Sequence, residues 1–197
     1  MLSLFLGIFA FFLYFLYDIN SFTWKSKVFH LFFLTGTLLL AASAILDLYS
    51  CWRSGAFRGV PDLLLAIGGG FWFLALIYCL FFALPFQQTY ADQDTGSHVY
   101  SGGVYALCRH PGILCFFFMY LLLGLAALPG PLLTHGMIFS ALNLLYAWFQ
   151  DAVTFPKTFC DYRDYQKTVP FLIPTPASIR RAKQTLVHST TRQEEIL

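Results

Sequence analysis

Charged residues are scarce in this sequence: Lys, Arg, Asp and Glu make up 11% of the 197 residues, while 58% are hydrophobic and 19% aromatic. An ordinary soluble domain has about 25% charged and about 45–50% apolar residues. The composition therefore excludes a soluble globule and indicates a polytopic membrane protein. The net charge is only +2 and like charges do not cluster, so we expect no nucleic-acid partner.

The five cysteines form no recognisable pattern. The sequence contains no CxxC pair and no Cys/His spacing of a zinc site. Cys79 and Cys115 lie within apolar runs, where a reduced thiol behaves as a small hydrophobic side chain. We therefore expect neither a disulfide nor a bound metal.

Apolar runs predict five membrane-spanning helices, because a 30 Å hydrocarbon core requires about 20 apolar residues. Backbone groups in hydrocarbon must be hydrogen-bonded within each segment, so the predicted fold is all-α and integral to the membrane. Pro129-Gly130-Pro131 separates the last two runs and favours a turn, which predicts a tight helical hairpin of spans four and five. The predicted spans are 2–17, 28–46, 63–86, 112–128 and 132–149.

The basic residues predict the orientation of these spans. Ten of the 12 Lys and Arg lie on the side that holds loops 18–27 and 87–111 and the chain after residue 149. The positive-inside rule makes this side cytoplasmic. We therefore predict a multi-pass protein with a cytoplasmic C-terminus, in the endoplasmic reticulum if eukaryotic and the inner membrane if bacterial. Residues 1–176 are expected to form one membrane-embedded domain, and residues 177–197 a polar cytoplasmic tail.

Polar residues gather in two segments on the predicted cytoplasmic side. The first ends in Arg109 and His110, just before span four, and the second runs from Gln150-Asp151 to Tyr165. Arg and His at such a boundary can anchor a helix, and the tyrosine pair Tyr162 and Tyr165 is typical of an aromatic belt. Asp151 is different, because a carboxylate at the end of a span needs water or a partner, either Arg109 or a bound cation.

Some polar or small residues lie within the apolar runs. Gly68-Gly69-Gly70 is predicted to allow close helix packing rather than to cradle a cofactor. Asp47 ends the second run and is predicted to be interfacial. His30 and His135 lie near opposite faces of the predicted topology, which disfavours a shared haem.

The ordered residues of the C-terminal region resemble a known family. Gly103-x-Tyr105-x-x-x-Arg109-His110-Pro111 opens a span, a helical hairpin follows, and Tyr-x-x-Tyr precedes a closing Val-Pro-x-x-Ile-Pro. This order is similar to the isoprenylcysteine carboxyl methyltransferases, which belong to a wider group with phospholipid N-methyltransferases. The resemblance covers roughly residues 87–174 and implies S-adenosylmethionine as the cofactor and a lipid-like acceptor that enters from the bilayer.

The resemblance also implies roles for individual residues of this chain. Arg109 and Asp151 are implied to act in catalysis, and Tyr146 stands at a substrate position. The implied cofactor-binding residues are His98, Val99, Tyr100, Tyr105, His110, Pro111, Gly112, Ile113 and Gln150.

The chain departs from the family pattern at several positions. Gln150 replaces a cofactor-binding glutamate, and its amide can hydrogen-bond a ribose hydroxyl but carries no negative charge. Tyr146 replaces a substrate-binding arginine, which argues against a prenylcysteine carboxylate as the acceptor. Ile113 and Cys115 replace a tyrosine and a glycine. The acceptor classes that stay open are an isoprenylcysteine carboxylate, a phospholipid amine and a small hydrophobic metabolite.

Two alternatives to a methyltransferase stay open. A non-catalytic membrane scaffold of the same fold accounts for the departures from the family pattern. An NADPH-dependent sterol-type reductase resembles the same C-terminal region, although such reductases are usually longer. Which cofactor the protein binds distinguishes the methyltransferase, the scaffold and the reductase from one another.

Overall fold

The computed structural model describes residues 1–24, 26–83 and 98–194, and their side chains except at positions 27, 30 and 186–194. Within these residues the protein is helical and contains no strand. The helices are α1 (Leu2–Phe22), α2 (His30–Arg53), α3 (Val60–Ile77), α4 (Pro111–Ala126), α5 (Leu132–Phe149), α6 (Phe155–Thr158), α7 (Tyr162–Thr168) and α8 (Pro176–Glu194).

Two π-helical turns extend the long helices. Tyr78–Phe82 continues α3, and Gln150–Thr154 connects α5 to α6. Short 3₁₀ turns occupy Lys27–Phe29, before α2, and Gly103–Ala106, before α4.

Among the described residues, four helical segments are long and apolar enough to cross a membrane: Leu2–Phe22, Leu31–Arg53, Val60–Phe82 and Leu132–Thr158. The apolar α4 has 16 residues. At 1.5 Å per residue it is about 24 Å long, shorter than a hydrocarbon core of about 30 Å. The all-α fold is thus confirmed for the described residues, while the number of spans, five, stays a prediction.

Apolar side chains on α2 and α3 are exposed in the isolated chain. Leu38 and Ile45 on α2, and Ile67, Phe71 and Leu74 on α3, are between 61% and 66% exposed. Large exposed apolar surfaces indicate an apolar partner. On helices of spanning length that partner is membrane lipid.

The chain folds as two compact units. The first comprises residues 1–74 and 115–154, and the second comprises residues 75–114 and 155–197. In the first unit α1 packs along α2 and also contacts α5. Phe139 of α5 is fully buried and its ring lies directly against Gly7 of α1.

The hairpin of α4 and α5 is confirmed. α5 begins at Leu132, immediately after the Pro-Gly-Pro turn. Glycine lets the two helices approach: an ideal Cβ at Gly124 would lie 2.6 Å from the Cα of Leu133, and one at Gly136 would lie 2.7 Å from the Cβ of Tyr120. Membrane helices use small residues for such close contacts.

Two of the three consecutive glycines of α3 also face α4. An ideal Cβ at Gly69 would lie 2.5 Å from the Cγ of Leu123, and one at Gly68 would lie 3.1 Å from the Cδ1 of Leu122. An ideal Cβ at Gly70 has no neighbour within 4 Å. Close packing therefore requires glycine at position 69, as predicted, but not at position 70.

Gly124→Ala is expected to lower the free energy of unfolding by about 1–3 kcal/mol, because the added methyl overlaps the backbone of α5. Gly70→Ala is the matched control, since its methyl enters open space and alanine favours a helix over glycine by about 0.8–1 kcal/mol. Thermal unfolding of the detergent-purified protein measures both effects. Equal unfolding midpoints for the two variants would contradict the close approach at Gly124.

A buried polar group, the Asp47 cluster, lies near the beginning of α1 and comprises Ser3, Ser43, Asp47 and His135. The His135 Nδ1–H donates to the Asp47 carboxylate at 2.9 Å, and the Ser43 hydroxyl donates to the Ser3 carbonyl at 2.7 Å. Asp47 is 1% exposed because His135 pairs with its carboxylate inside the first unit. Its interfacial position in the membrane stays a prediction. The His30 side chain lies outside the described residues.

The second unit has an aromatic core around α7. Tyr162 and Tyr165 are 2% and 6% exposed and pack with Phe159 and Val169, and Val99 contacts this core. The predicted aromatic belt was therefore wrong. The two tyrosines do share one face of the helix, but that face is buried by protein.

The segment expected to be a polar tail begins as a packed helix. α8 contacts the Gly103–Ala106 turn, and the Thr185 hydroxyl accepts a hydrogen bond from the Gly103 N–H at 3.1 Å. Ser178 is fully buried, and its hydroxyl accepts the Thr175 N–H at 2.9 Å at the start of the helix. At least the first turns of α8 therefore belong to the second unit.

Candidate functional site

The predicted site residues divide between the two units. The second unit contains Arg109 and eight of the predicted cofactor-binding residues, all within 98–113. The first unit contains Tyr146, Gln150 and Asp151. Each group has its own set of contacts.

Arg109 ties the beginning of α4 to the end of α7. Its Nη1 donates to the carbonyls of Gln166 and Val169, both at 2.9 Å, and its main-chain N–H donates to the Pro170 carbonyl at 2.9 Å. Its guanidinium carbon lies 5.6 Å from the centre of the Phe171 ring. Carbonyls at a helix C-terminus carry partial negative charge, so Arg109 caps α7. Sequence reasoning missed this role, and the implied catalytic role stays a prediction.

His110 lies between two aromatic rings. Its own ring is 5.9 Å from Phe155, nearly parallel at 13°, and 4.9 Å from Phe171. It is 8% exposed. Pro111 then opens α4, a position that favours proline because the first helical N–H needs no partner within the helix.

Gly112 and Ile113 follow Pro111 in the first turn of α4. Ile113 is buried, and its N–H donates to the His110 carbonyl at 3.2 Å. An ideal Cβ at Gly112 would lie 3.6 Å from Leu76, an ordinary van der Waals distance. Packing therefore does not require glycine at position 112.

Hydrogen bonds fix both the side-chain hydroxyl and the main-chain carbonyl of Tyr105. Its hydroxyl donates to the Cys79 carbonyl, in the first π-helical turn, at 2.9 Å, and its own carbonyl accepts the Tyr165 hydroxyl at 2.7 Å. The Tyr100 ring meets the Tyr105 ring edge-on at 6.5 Å. Gly103 begins this turn with a φ of +56°, which only glycine adopts without strain.

Asp161 fixes the beginning of the 98–113 segment. Its Oδ1 accepts the Val99 N–H at 2.9 Å, and its Oδ2 lies 3.2 Å from the His98 Nδ1. The Cys160 Sγ lies 3.4 Å from the same His98 nitrogen. The donor atoms of His98, Cys160 and Asp161 all lie within 4.8 Å of one another. The sequence does not reveal this cluster, because its members are 62 and 63 positions apart.

The first unit contains a second polar group, the Asp18 cluster, formed by Asp18, Tyr146, Gln150 and Thr154. The Asp18 carboxylate accepts hydrogen bonds from the side chains of Tyr146, Gln150 and Thr154. Asp18 is 4% exposed. Sequence reasoning did not select Asp18 for the site, although it is the only charged residue among the first 24. An ionisable residue in a membrane helix is itself a signal of function.

The second π-helical turn explains why Tyr146 at the end of α5 and Gln150 and Thr154 of the turn itself all reach one carboxylate. Tyr146, Gln150 and Thr154 are spaced by four, a spacing that drifts about 40° per step in a regular α-helix. The wider turn at Gln150–Thr154 reduces this drift. Such π-helical turns are frequent at functional sites. Asp151, in the same turn, is 8% exposed.

Comparisons of the chain with protein-family models, curated proteins and solved structures found no match. The similarity to membrane methyltransferases therefore depends on the residues quoted in the sequence analysis.

Proposed function

We propose that this protein transfers a methyl group from S-adenosylmethionine to a lipid-like or membrane-partitioned acceptor. The observation that carries the proposal is the packing of segment 98–113 onto segment 155–171 within the second unit. These are the two polar segments whose residue order resembles the membrane methyltransferases. The positive-inside rule predicts that both lie on the cytoplasmic side, where the cofactor is available.

Aromatic residues of the second unit suit a cationic, adenine-containing cofactor. Tyr100 and Tyr105 are partly exposed, and His110 lies in an aromatic stack. Aromatic faces attract a positively charged sulfur by cation–π interaction and can pack against adenine. Tyr105 is positioned for this role because hydrogen bonds fix both its hydroxyl and its carbonyl.

Asp18 supplies a carboxylate beside Gln150. Glutamate stands at the position of Gln150 in the family that the sequence resembles, and the amide alone offers no charge. Because Gln150 donates to Asp18, a carboxylate from α1 adjoins this position. The first unit therefore holds a carboxylate where the family has a charged side chain.

The chemistry needs alignment more than acid–base catalysis. When bound, S-adenosylmethionine supplies an electrophilic methyl group on a positively charged sulfur. The chain's own contribution is to orient the two reactants in line and to exclude water, and these effects supply much of the rate of such a displacement.

Calorimetric titration of the detergent-purified chain with S-adenosylmethionine and S-adenosylhomocysteine tests the proposal. The wild type is expected to bind both saturably. Tyr105→Leu is expected to weaken the affinity for S-adenosylmethionine by about 2- to 30-fold, because a cation–π contact contributes about 0.5–2 kcal/mol and 1.4 kcal/mol is tenfold. Its affinity for S-adenosylhomocysteine should change less, since that ligand has no sulfonium.

Asp164→Asn is the surface control, because Asp164 is exposed and pairs locally with Lys167 at 2.8 Å. It should leave both affinities unchanged. Binding of neither ligand by the wild type would overturn the proposal: NADPH binding would then favour a reductase, and no cofactor binding a scaffold. Equal weakening of both ligands by Tyr105→Leu would reject the cation–π role alone.

A further inference from the structure

The cluster of His98, Cys160 and Asp161 has the donor set of a transition-metal site. It offers an imidazole nitrogen, a thiolate sulfur and a carboxylate oxygen, all of which Zn²⁺ binds in proteins. A sulfur donor disfavours Mg²⁺ and Ca²⁺, which prefer oxygen ligands. The donor set therefore favours a cation of the zinc class.

The spacing of the donors matches this class of ion. Bonds of about 2.0–2.3 Å in a tetrahedral zinc site place neighbouring donor atoms about 3.3–3.6 Å apart. The His98 Nδ1 lies 3.2 Å from the Asp161 Oδ2 and 3.4 Å from the Cys160 Sγ. These two distances match such a site, and all three donor atoms lie within 4.8 Å of one another, so binding one ion requires the exposed Cys160 and Asp161 side chains to move closer together.

The direction of the contacts distinguishes a metal site from a nucleophile–base pair. In a catalytic Cys–His–Asp arrangement the thiol and the carboxylate lie at opposite nitrogens of the imidazole. Here the Asp161 Oδ2 lies 3.2 Å from Nδ1, and the Cys160 Sγ lies 3.4 Å from Nδ1 and 3.8 Å from Nε2. The thiol and the carboxylate therefore do not lie at opposite nitrogens, as a nucleophile–base pair would require. Rotation of the exposed Cys160 side chain would bring its sulfur to an ion bound at Nδ1.

A supporting hydrogen bond orients the carboxylate. The Val99 N–H donates to the Asp161 Oδ1 at 2.9 Å, which leaves Oδ2 directed at His98. Such outer contacts hold the ligands of metal sites in place. The side chains of His98 and Asp161 are 49% and 37% exposed, and Cys160 is exposed, so an ion can enter from water.

We propose that His98, Cys160 and Asp161 bind a divalent cation of the zinc class, with the fourth position open to water. The ion replaces the thiol proton of Cys160, which is released on binding. It links the beginning of the 98–113 segment to the beginning of α7. This site does not depend on the proposed methyl transfer, although it assigns the His98 side chain to a metal rather than to the organic cofactor.

Cobalt titration of the metal-stripped full chain in detergent tests the site, because tetrahedral cobalt bound to thiolate gives a charge-transfer absorption. We expect saturation at one Co²⁺ per chain, displacement by Zn²⁺ and no displacement by Mg²⁺. Cys160→Ser should abolish the absorption. His98→Gln and Asp161→Asn should each weaken Co²⁺ binding by at least about 10-fold, the lower limit seen even for outer-shell partners.

Asp164→Asn is again the control, since Asp164 comes three positions after Asp161 but its carboxylate lies outside the cluster. The Lys167 ammonium lowers the pKa of Asp164, so this residue also carries charge and reports unspecific attraction of cations. Its Co²⁺ affinity should equal that of the wild type. An absorption that survives Cys160→Ser, or equal losses in Asp161→Asn and Asp164→Asn, would overturn the proposal.

Maleimide labelling provides a second measurement that needs no cysteine variant. Cys160 is exposed, whereas Cys51, Cys79, Cys108 and Cys115 are buried. Zn²⁺ is expected to protect one thiol in the wild type but not in His98→Gln, and failure to protect would reject the site. Titration of the metal-loaded and metal-stripped chains with S-adenosylhomocysteine separates the two proposals, since either binding activity can be present without the other.

Discussion

Asp47→Leu is expected to lower the free energy of unfolding by about 3–5 kcal/mol, the usual cost of removing one partner of a buried pair. The Asp47 carboxylate is 1% exposed and accepts the His135 Nδ1–H at 2.9 Å. The substitution leaves the imidazole of His135 buried among apolar helices without its acceptor. Ser3, 3.5 Å from the same nitrogen, is too distant to replace the carboxylate fully.

The double variant Asp47→Leu with His135→Leu is the informative control. It removes both polar groups, so it should recover a large part of the stability lost in the single variant. Thermal and denaturant unfolding of the detergent-purified protein, analysed as a double-mutant cycle, gives the coupling between the two residues. If the stability losses of the two single variants simply add in the double variant, pairing between Asp47 and His135 does not stabilise the first unit.

The Asp47 pair also explains a difference between a predicted and an observed helix end. The sequence predicted that the second span ends at residue 46, because the first acidic residue follows it. α2 instead continues to Arg53. His135 makes this possible by pairing with Asp47 from a position 88 residues later in the chain. A pattern of apolar residues cannot reveal such a partner.

Local signals predicted the parts of the fold that depend on neighbouring residues. Pro129-Gly130-Pro131 predicted the hairpin, and α5 occupies the predicted residues. The spacing of Tyr162 and Tyr165 predicted their shared helical face, but not its burial. That burial depends on Val99, which comes from a distant segment.

In the candidate site, too, the sequence indicated individual residues but not their distant partners. The sequence selected Tyr146 and Gln150 individually, but not their common partner Asp18, which lies more than 120 positions earlier. It selected Arg109 as a charged group near a span, but not the carbonyls at the end of α7 that accept its hydrogen bonds. Residue types indicated where polar chemistry concentrates, whereas the pairing of those residues required the fold.

Arg109→Ala is expected to lower the free energy of unfolding by about 3–6 kcal/mol, because two hydrogen bonds from a charged donor are lost and each contributes about 1.5–3 kcal/mol. The carbonyls of Gln166 and Val169 then lose their cap at the end of α7. Arg109→Lys should give an intermediate loss, since an ammonium keeps the charge but not the planar fork of donors. Arg163→Ala, an exposed arginine on α7, is the control and should change stability by about 0.5 kcal/mol at most.

Hydrogen exchange distinguishes this capping role from a purely catalytic one. If Arg109 stabilises the end of α7, the amides of residues 165–169 should exchange faster in Arg109→Ala than in Arg163→Ala, because opening the last turn becomes easier. A catalytic residue with no structural role would instead leave the unfolding midpoint and local exchange unchanged while reducing methyl transfer. If Arg109 has both roles, Arg109→Lys should recover more stability than turnover, because capping needs mainly a nearby positive donor whereas orienting a substrate needs the planar guanidinium.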